Sequence, residues 1–252
     1  MLVNLEDFNI DEFNKLKGGI NVSVSEIYAV CINEVLTDYD LEWLRQKVSP
    51  LRVEKSGKYY FPDDAKRCLV AGIILRVYCK IHNLNISEEM ETLNKYGKPY
   101  WISSEAPKFS ISHSGEWVVC GFDNKEIGID IEKIQHGDTE QTAKQLATPE
   151  YEYIMACDGP KKMERFVRIW TLKESYTKYL GYGLSIPLQS FSVYHTNLLS
   201  EKGDEIKTRY RNVWLKQKKF HKSHYLSECS HTEDKMNIKV LAFDEIKKII
   251  GE

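Results

Sequence analysis

Three acidic residues on two short segments carry most of the chemistry this sequence can offer. Ile127-Gly128-Ile129-Asp130-Ile131-Glu132-Lys133 alternates strictly, so the isoleucines share one face of a strand while Asp130 and Glu132 share the other. Carboxylates so spaced stand roughly 6–7 Å apart at Cα, close enough for both to lean onto one hard cation. Further along, Glu174 in Trp170-Thr171-Leu172-Lys173-Glu174-Ser175 offers a third oxygen ligand from a helix. An all-oxygen set favours Mg²⁺ over zinc, with Mn²⁺ as the alternative. Plainer readings stand beside these: a solvated face of an edge strand for Asp130 and Glu132, and an i,i+4 ion pair with Lys178 for Glu174. On a helical wheel of 163–180, however, Glu174 falls inside the apolar stripe of Met163, Phe166, Val167 and Trp170. A carboxylate there has to be paired or liganded.

The elements that must position these residues can be read from periodicity. Ile27 to Ile32 reads as a first strand, and Asp40 to Lys47 as a helix ending before Ser49-Pro50. A longer helix starts after Pro62-Asp63-Asp64, with Asp63 or Asp64 as cap, and runs to about His82. Tyr96-Gly97-Lys98-Pro99 is a turn; Phe109-Ser110-Ile111-Ser112 and Trp117 to Phe122 form a hairpin. In the second half, helices are expected from Thr139 to Leu146, from Pro149, and from Lys161 to Leu180, the last ended by Gly181. Phe191-Ser192-Val193, Val213-Trp214-Leu215 and His224 to Cys229 read as strands. The expected fold is α+β: two pseudo-symmetric lobes, each a small mostly antiparallel sheet packed on one long helix. The lobes are placed at 25–125 and 126–252, after an irregular extension over 1–24.

Composition narrows the function classes. A chain of 252 residues with 42% hydrophobic content can bury a substantial core. A formal net charge of −2 argues against bulk attraction to nucleic acid or a membrane. The six cysteines form no C-x-x-C pair and suit free thiols in a reducing cytosol. Met1 to Asp7 has neither the basic region nor the apolar core of a secretory signal, so a soluble cytoplasmic protein is expected.

Gly128-Ile129-Asp130-Ile131-Glu132 followed by Trp170-x-x-Lys173-Glu174-Ser175-x-x-Lys178 resembles the paired signatures of 4′-phosphopantetheinyl transferases of the surfactin type. Lys55, Arg67, the Tyr96–Pro99 turn and Phe109-Ser110-Ile111-Ser112-His113-Ser114-Gly115 match in order. The resemblance runs from Ile27 to about Val240, leaving out 1–24 and a stretch around 195–225. It implies an enzyme that moves the phosphopantetheine arm of coenzyme A to a serine of an apo acyl or peptidyl carrier protein, releasing adenosine 3′,5′-bisphosphate. It also implies a monomer with coenzyme A between the lobes, and Mg²⁺ on Asp130, Glu132 and Glu174. Lys178 would stabilise the leaving group, and Arg52, Lys55, Arg67, Ser112 and His113 would hold coenzyme A around its 3′-phosphate, with Lys98 near the nucleotide. Glu150 matches a family carboxylate near the metal and is the candidate base; its plainer reading is a helix N-terminal residue facing the dipole.

Two departures stand out. Arg52 replaces the usual lysine, and Cys68 replaces a hydroxyl residue after the arginine. The alternative enzyme class is a Mg²⁺-dependent phosphohydrolase, which needs the carboxylates but no 3′-phosphate clamp. Two further signals are weak. His221, His224, Cys229 and His231 have zinc-ligand types, but strand alternation splits them between faces. The basic stretch from Lys207 to Lys222 reads as a solvated hairpin, or as a surface for an acidic carrier.

Overall fold

The computed structural model describes residues 25–35, 37–87, 90–135, 139–194 and 205–251; the expected extension over 1–24 lies outside them. In chain order come β1 (Glu26–Cys31), α1 (Asp38–Lys47), α2 (Pro50–Ser56), α3 (Pro62–Ile81), β2 (Glu91–Leu93), β3 (Pro99–Trp101), β4 (Lys108–Ser114) and β5 (Trp117–Asp123). The chain continues through β6 (Gly128–Lys133), α4 (Thr139–Ala143), α5 (Thr148–Met155), α6 (Gly159–Leu180), β7 (Glu205–Tyr210), β8 (Val213–Phe220), β9 (His224–Ser230), β10 (Asn237–Val240) and α7 (Phe243–Ile250). The fold is α+β, as expected. One sheet has the order β10-β1-β5-β4, the other β6-β9-β8-β7, and β2 and β3 form a separate hairpin.

Each large sheet is backed by one long helix, and the two sheets also face each other. Alternation along β1 sends Tyr28 and Val30 into a core with α3, while Ile27 and Ala29 meet Ile129, Ile131 and Leu226 of the second sheet. Leu172, Tyr176 and Tyr179 of α6 build the second lobe's core with Leu215 and Cys229. The buried stripe of α6 is thus offset from the expected one: Met163, Phe166 and Trp170 remain half-buried. All six cysteines are free thiols. Among the described residues, no helix is long and apolar enough to cross a membrane.

Three sequence expectations need correction. The chain's end returns to the first lobe: β10 pairs parallel with β1, and Leu241, Phe243 and Ile246 join the α3 core. Residues 237–250 therefore extend the sheet and core of 25–125, with Ile238 also packed in the cluster between the two sheets. No strand forms at Phe191–Val193, because its backbone groups bond side chains instead: Lys173 Nζ donates to Phe191 O and Val193 N donates to Glu150. Finally, Asp63 and Asp64 do not cap α3, which starts at Pro62; Asp64 pairs with Arg67 one turn on, at 2.8 Å.

Candidate active site

The strands β4 and β6 belong to different sheets yet run side by side along the lobe seam. Serine side chains take the place of a backbone ladder. Ser110, Ser112 and Ser114 Oγ accept the N–H groups of Ile129, Ile131 and Lys133, at 3.0, 3.3 and 3.1 Å. The hydroxyls of Ser112 and Ser114 then donate onward to Asp130 Oδ1 (2.7 Å) and Glu132 Oε2 (2.8 Å). The alternating serines of Phe109–Gly115 thus aim both carboxylates. That alternation is visible in the sequence, but what the serines bond is not.

Glycine sets the third carboxylate. A Cβ at Gly128 would lie 1.9 Å from Ser175 O and 2.3 Å from Tyr179 N, so the backbone of α6 rests directly on β6. Only glycine permits that approach. It brings Glu174 and Lys178 beside Asp130, and Lys178 Nζ donates to Asp130 Oδ1 at 2.6 Å.

Asp130, Glu132, Trp170, Glu174 and Lys178 form one wall of a cavity of about 470 Å³. Arg52, Lys55, Arg67, Ser112 and His113 line it from the first lobe. The three carboxylates feel one another strongly. Burial, then Asp130 and Glu174, push Glu132 up to about 7. Burial, then Asp130, raises Glu174. Asp130 is raised by burial, against the pull of Lys178 and Ser112. Its Oδ2 is buried without a hydrogen-bond partner.

Among the described residues, no three His, Cys, Asp or Glu side chains are drawn together as tightly as ligands around an ion, this triad included. Even so, an orphaned buried carboxylate oxygen and three mutually repelling acids on one wall are what a hard divalent cation would relieve. The donor set fits such an ion.

On the facing wall the expected clamp is uneven. Arg67 is braced: Nε and Nη2 donate to Gly115 O at 2.9 and 2.7 Å, and Nη1 to Asp64 Oδ1 at 2.8 Å. Two of its five N–H groups remain for a ligand. Lys55 is exposed. His113 is exposed at the strand end, with burial of its ring, then Lys178 and Arg67, lowering its pKa to about 4. Arg52 is buried and bonded through Nε and Nη2 to Glu91 Oε1, at 2.8 and 2.5 Å. Its charge is already matched within the first lobe.

Two expected site residues lie elsewhere. Lys98 Nζ bonds Glu126 Oε2 (3.0 Å) and Ile127 O (3.3 Å), and the residue lines a second cavity of about 410 Å³; Pro99 borders both cavities. Glu150 is 0% exposed in the second lobe's interior. Its oxygens accept from Lys173 Nζ, Ala147 N and Val193 N, at 2.7, 3.1 and 2.7 Å. A carboxylate so satisfied and so enclosed is a structural tie, not a base facing the cleft. The four zinc-type residues are likewise dispersed: His221 stacks on Trp117, His231 bonds Tyr179, and His224 and Cys229 are buried.

The model of the 4′-phosphopantetheinyl transferase superfamily matches residues 126–230, from β6 through β9. The chain is 36% identical over 169 residues to 4′-phosphopantetheinyl transferase Sfp of Bacillus subtilis (strain 168), covering 67% of this chain and 75% of that protein. It is 33% identical over 168 residues to 4′-phosphopantetheinyl transferase gsp of Aneurinibacillus migulanus, covering 66% and 70%. The L-aminoadipate-semialdehyde dehydrogenase-phosphopantetheinyl transferase of Candida glabrata is 34% identical over 129 residues, about half of either chain. A phosphohydrolase reading finds no support among these relatives. With two thirds of its length aligned to such enzymes and the carboxylate wall inside the matched region, the chain belongs to the 4′-phosphopantetheinyl transferase superfamily, on its surfactin-type branch.

Proposed function

We propose that this chain transfers the 4′-phosphopantetheine arm of coenzyme A to a serine of an apo acyl or peptidyl carrier protein, with Mg²⁺ held by Asp130, Glu132 and Glu174. One observation carries the reading: three acids and Lys178 face Arg67, Lys55 and His113 across a single cavity at the lobe seam. Bound there, Mg²⁺ would neutralise the pyrophosphate and ease loss of the nucleotide.

The protein's own groups do the rest. Ser112 and Ser114 keep Asp130 and Glu132 from turning away. Lys178, 28% exposed, can shift from Asp130 to a phosphate oxygen of the leaving group. Arg67 and Lys55 supply charge for the 3′-phosphate, and His113 adds a hydrogen bond. Arg52 contributes shape more than charge.

Both walls come from one chain, which supports a monomer, and the free thiols suit the cytoplasm. Carriers of nonribosomal peptide, polyketide or fatty-acid synthesis are the substrate class. Intact-mass measurement of apo carriers incubated with coenzyme A and Mg²⁺ tests the reading. A phosphopantetheine added to the carrier, and lost with a chelator, is expected; coenzyme A hydrolysed with unmodified carrier would overturn it.

A further inference from the structure

The turn between β4 and β5 belongs to the first lobe but is seated on the second. Gly115 takes φ +54°, and a Cβ there would meet Lys133 Cδ at 2.8 Å and His224 Nε2 at 3.1 Å. Lys133 follows Glu132 on β6, and His224 opens β9. Beside this contact, Lys133 Nζ donates to Glu116 Oε2 at 2.8 Å. On its other side the turn is anchored by Ile32 N, which donates to Glu116 O at 2.8 Å. The turn therefore cannot move without disturbing both sheets.

Two functional groups take their aim from it. The Gly115 carbonyl receives two of Arg67's N–H groups, so its position decides where the two unused ones point. Ser114, one residue earlier, holds Glu132 Oε2 at 2.8 Å and accepts the N–H of Lys133. The cation on one wall and the carboxylate on the other are thus registered against the same turn. Among the described residues, the close side-chain ion pair fixing that register is Glu116–Lys133 at 2.8 Å, with His224 Nε2 farther from the same oxygen at 4.0 Å, and neither Glu116 nor Lys133 lines the cavity.

We infer that Glu116 and Lys133 are positioning residues for phosphate recognition: their ion pair across the seam holds the Gly115 carbonyl where it orients Arg67 toward the 3′-phosphate of coenzyme A. The inference rests on the reading of Arg67 as part of that clamp. The pair is partly exposed, so its own contribution to stability is small. Its effect is geometric, in the way that small misplacement of a binding group costs affinity.

Calorimetric titration with coenzyme A and with 3′-dephospho-coenzyme A, both in Mg²⁺, tests this on the full chain. Glu116→Ala is expected to weaken coenzyme A about fivefold to tenfold, roughly 1 kcal/mol or slightly more, and to weaken the dephospho form, which shares only the Glu132 side of the turn, by less than about twofold. Lys133→Met should do the same, and the exchange Glu116→Lys with Lys133→Glu should restore most of the loss. An equal weakening of both ligands, or no recovery in the exchanged pair, would overturn the inference. Arg67→Ala separates the two levels of the argument. If it discriminates between the ligands while Glu116→Ala does not, the turn has no positioning role. If it fails to discriminate, the clamp reading falls and takes the inference with it.

Discussion

One helix, α6, supplies lysines to two buried carboxylates, and the two pairs could hardly differ more. On one face Lys173 meets Glu150, both 0% exposed, with every carboxylate oxygen bonded and neither side chain lining the cavity beside Ala147 and Tyr151. On the other, Lys178 meets Asp130 at the cavity wall, where one oxygen of Asp130 has no partner and two further acids crowd it. Burial lowers the pKa of Lys173 and Glu150 opposes that shift, as expected of a closed pair. The comparison teaches how to tell a structural ion pair from a functional one. Burial is common to both; unmet coordination beside open space belongs to one alone.

The largest expected effect is on the cavity side. Asp130→Ala should cut transfer at least about a thousandfold, equivalent to roughly 4 kcal/mol of transition-state stabilisation. The melting temperature should not fall, since a buried and poorly satisfied charge is removed. Carrier-mass kinetics and scanning calorimetry on the same preparation read both quantities. Normal turnover would erase the distinction between the pairs.

Glu150→Ala should show the opposite pattern. Leaving Lys173 buried without its partner costs about 3–5 kcal/mol of stability, while turnover per folded molecule stays near that of the parent chain. Denaturant unfolding and active-fraction measurement check this. A folded but inactive Glu150 variant would favour the base assignment over a purely structural role.

Gly128→Ala sharpens the comparison by moving α6 as a whole. The new methyl meets helix backbone, which cannot step aside as a flexible side chain can, so a loss of about 1–3 kcal/mol or more is expected. Transfer should fall with it, because Glu174 and Lys178 shift together. A stable, fully active variant would mean that the contact of α6 with β6 does not set the site. The smallest effect belongs to Ser114→Ala, which removes the hydrogen bond to Glu132 and the one accepted from Lys133 N, and should cost about 1–2 kcal/mol. It should appear mainly as a higher Mg²⁺ requirement, read from transfer rates across a Mg²⁺ titration.

Sequence and structure agree where the determinants are local. Alternation alone put Asp130 and Glu132 opposite the isoleucines, and Gly181 ends α6 with φ +75° as its type suggests. The errors share a cause, which is dependence on partners distant in the chain. Arg52 reads as a free cation until Glu91 is found beside it, and Lys98 until Glu126 is. Glu150 shows only helix-start character locally, and its carboxylate does accept Ala147 N, but its tie to Lys173 is invisible in the sequence. Phe191–Val193 has the composition of a strand, but its backbone groups were claimed by α5 and α6 side chains. Nothing in Asn237–Val240 reveals that it will pair parallel with the first strand. Gly128 is visible as a motif residue, while its reason is the helix backbone lying on it.

Binding of Mn²⁺, followed by electron paramagnetic resonance as a probe for the divalent site, tests the central claim most directly. The parent chain and Glu150→Gln should both take up one tightly held ion, with Asp130→Ala and Glu174→Ala taking up none. Equal binding by Asp130→Ala and the parent chain would contradict the assignment of the carboxylate wall.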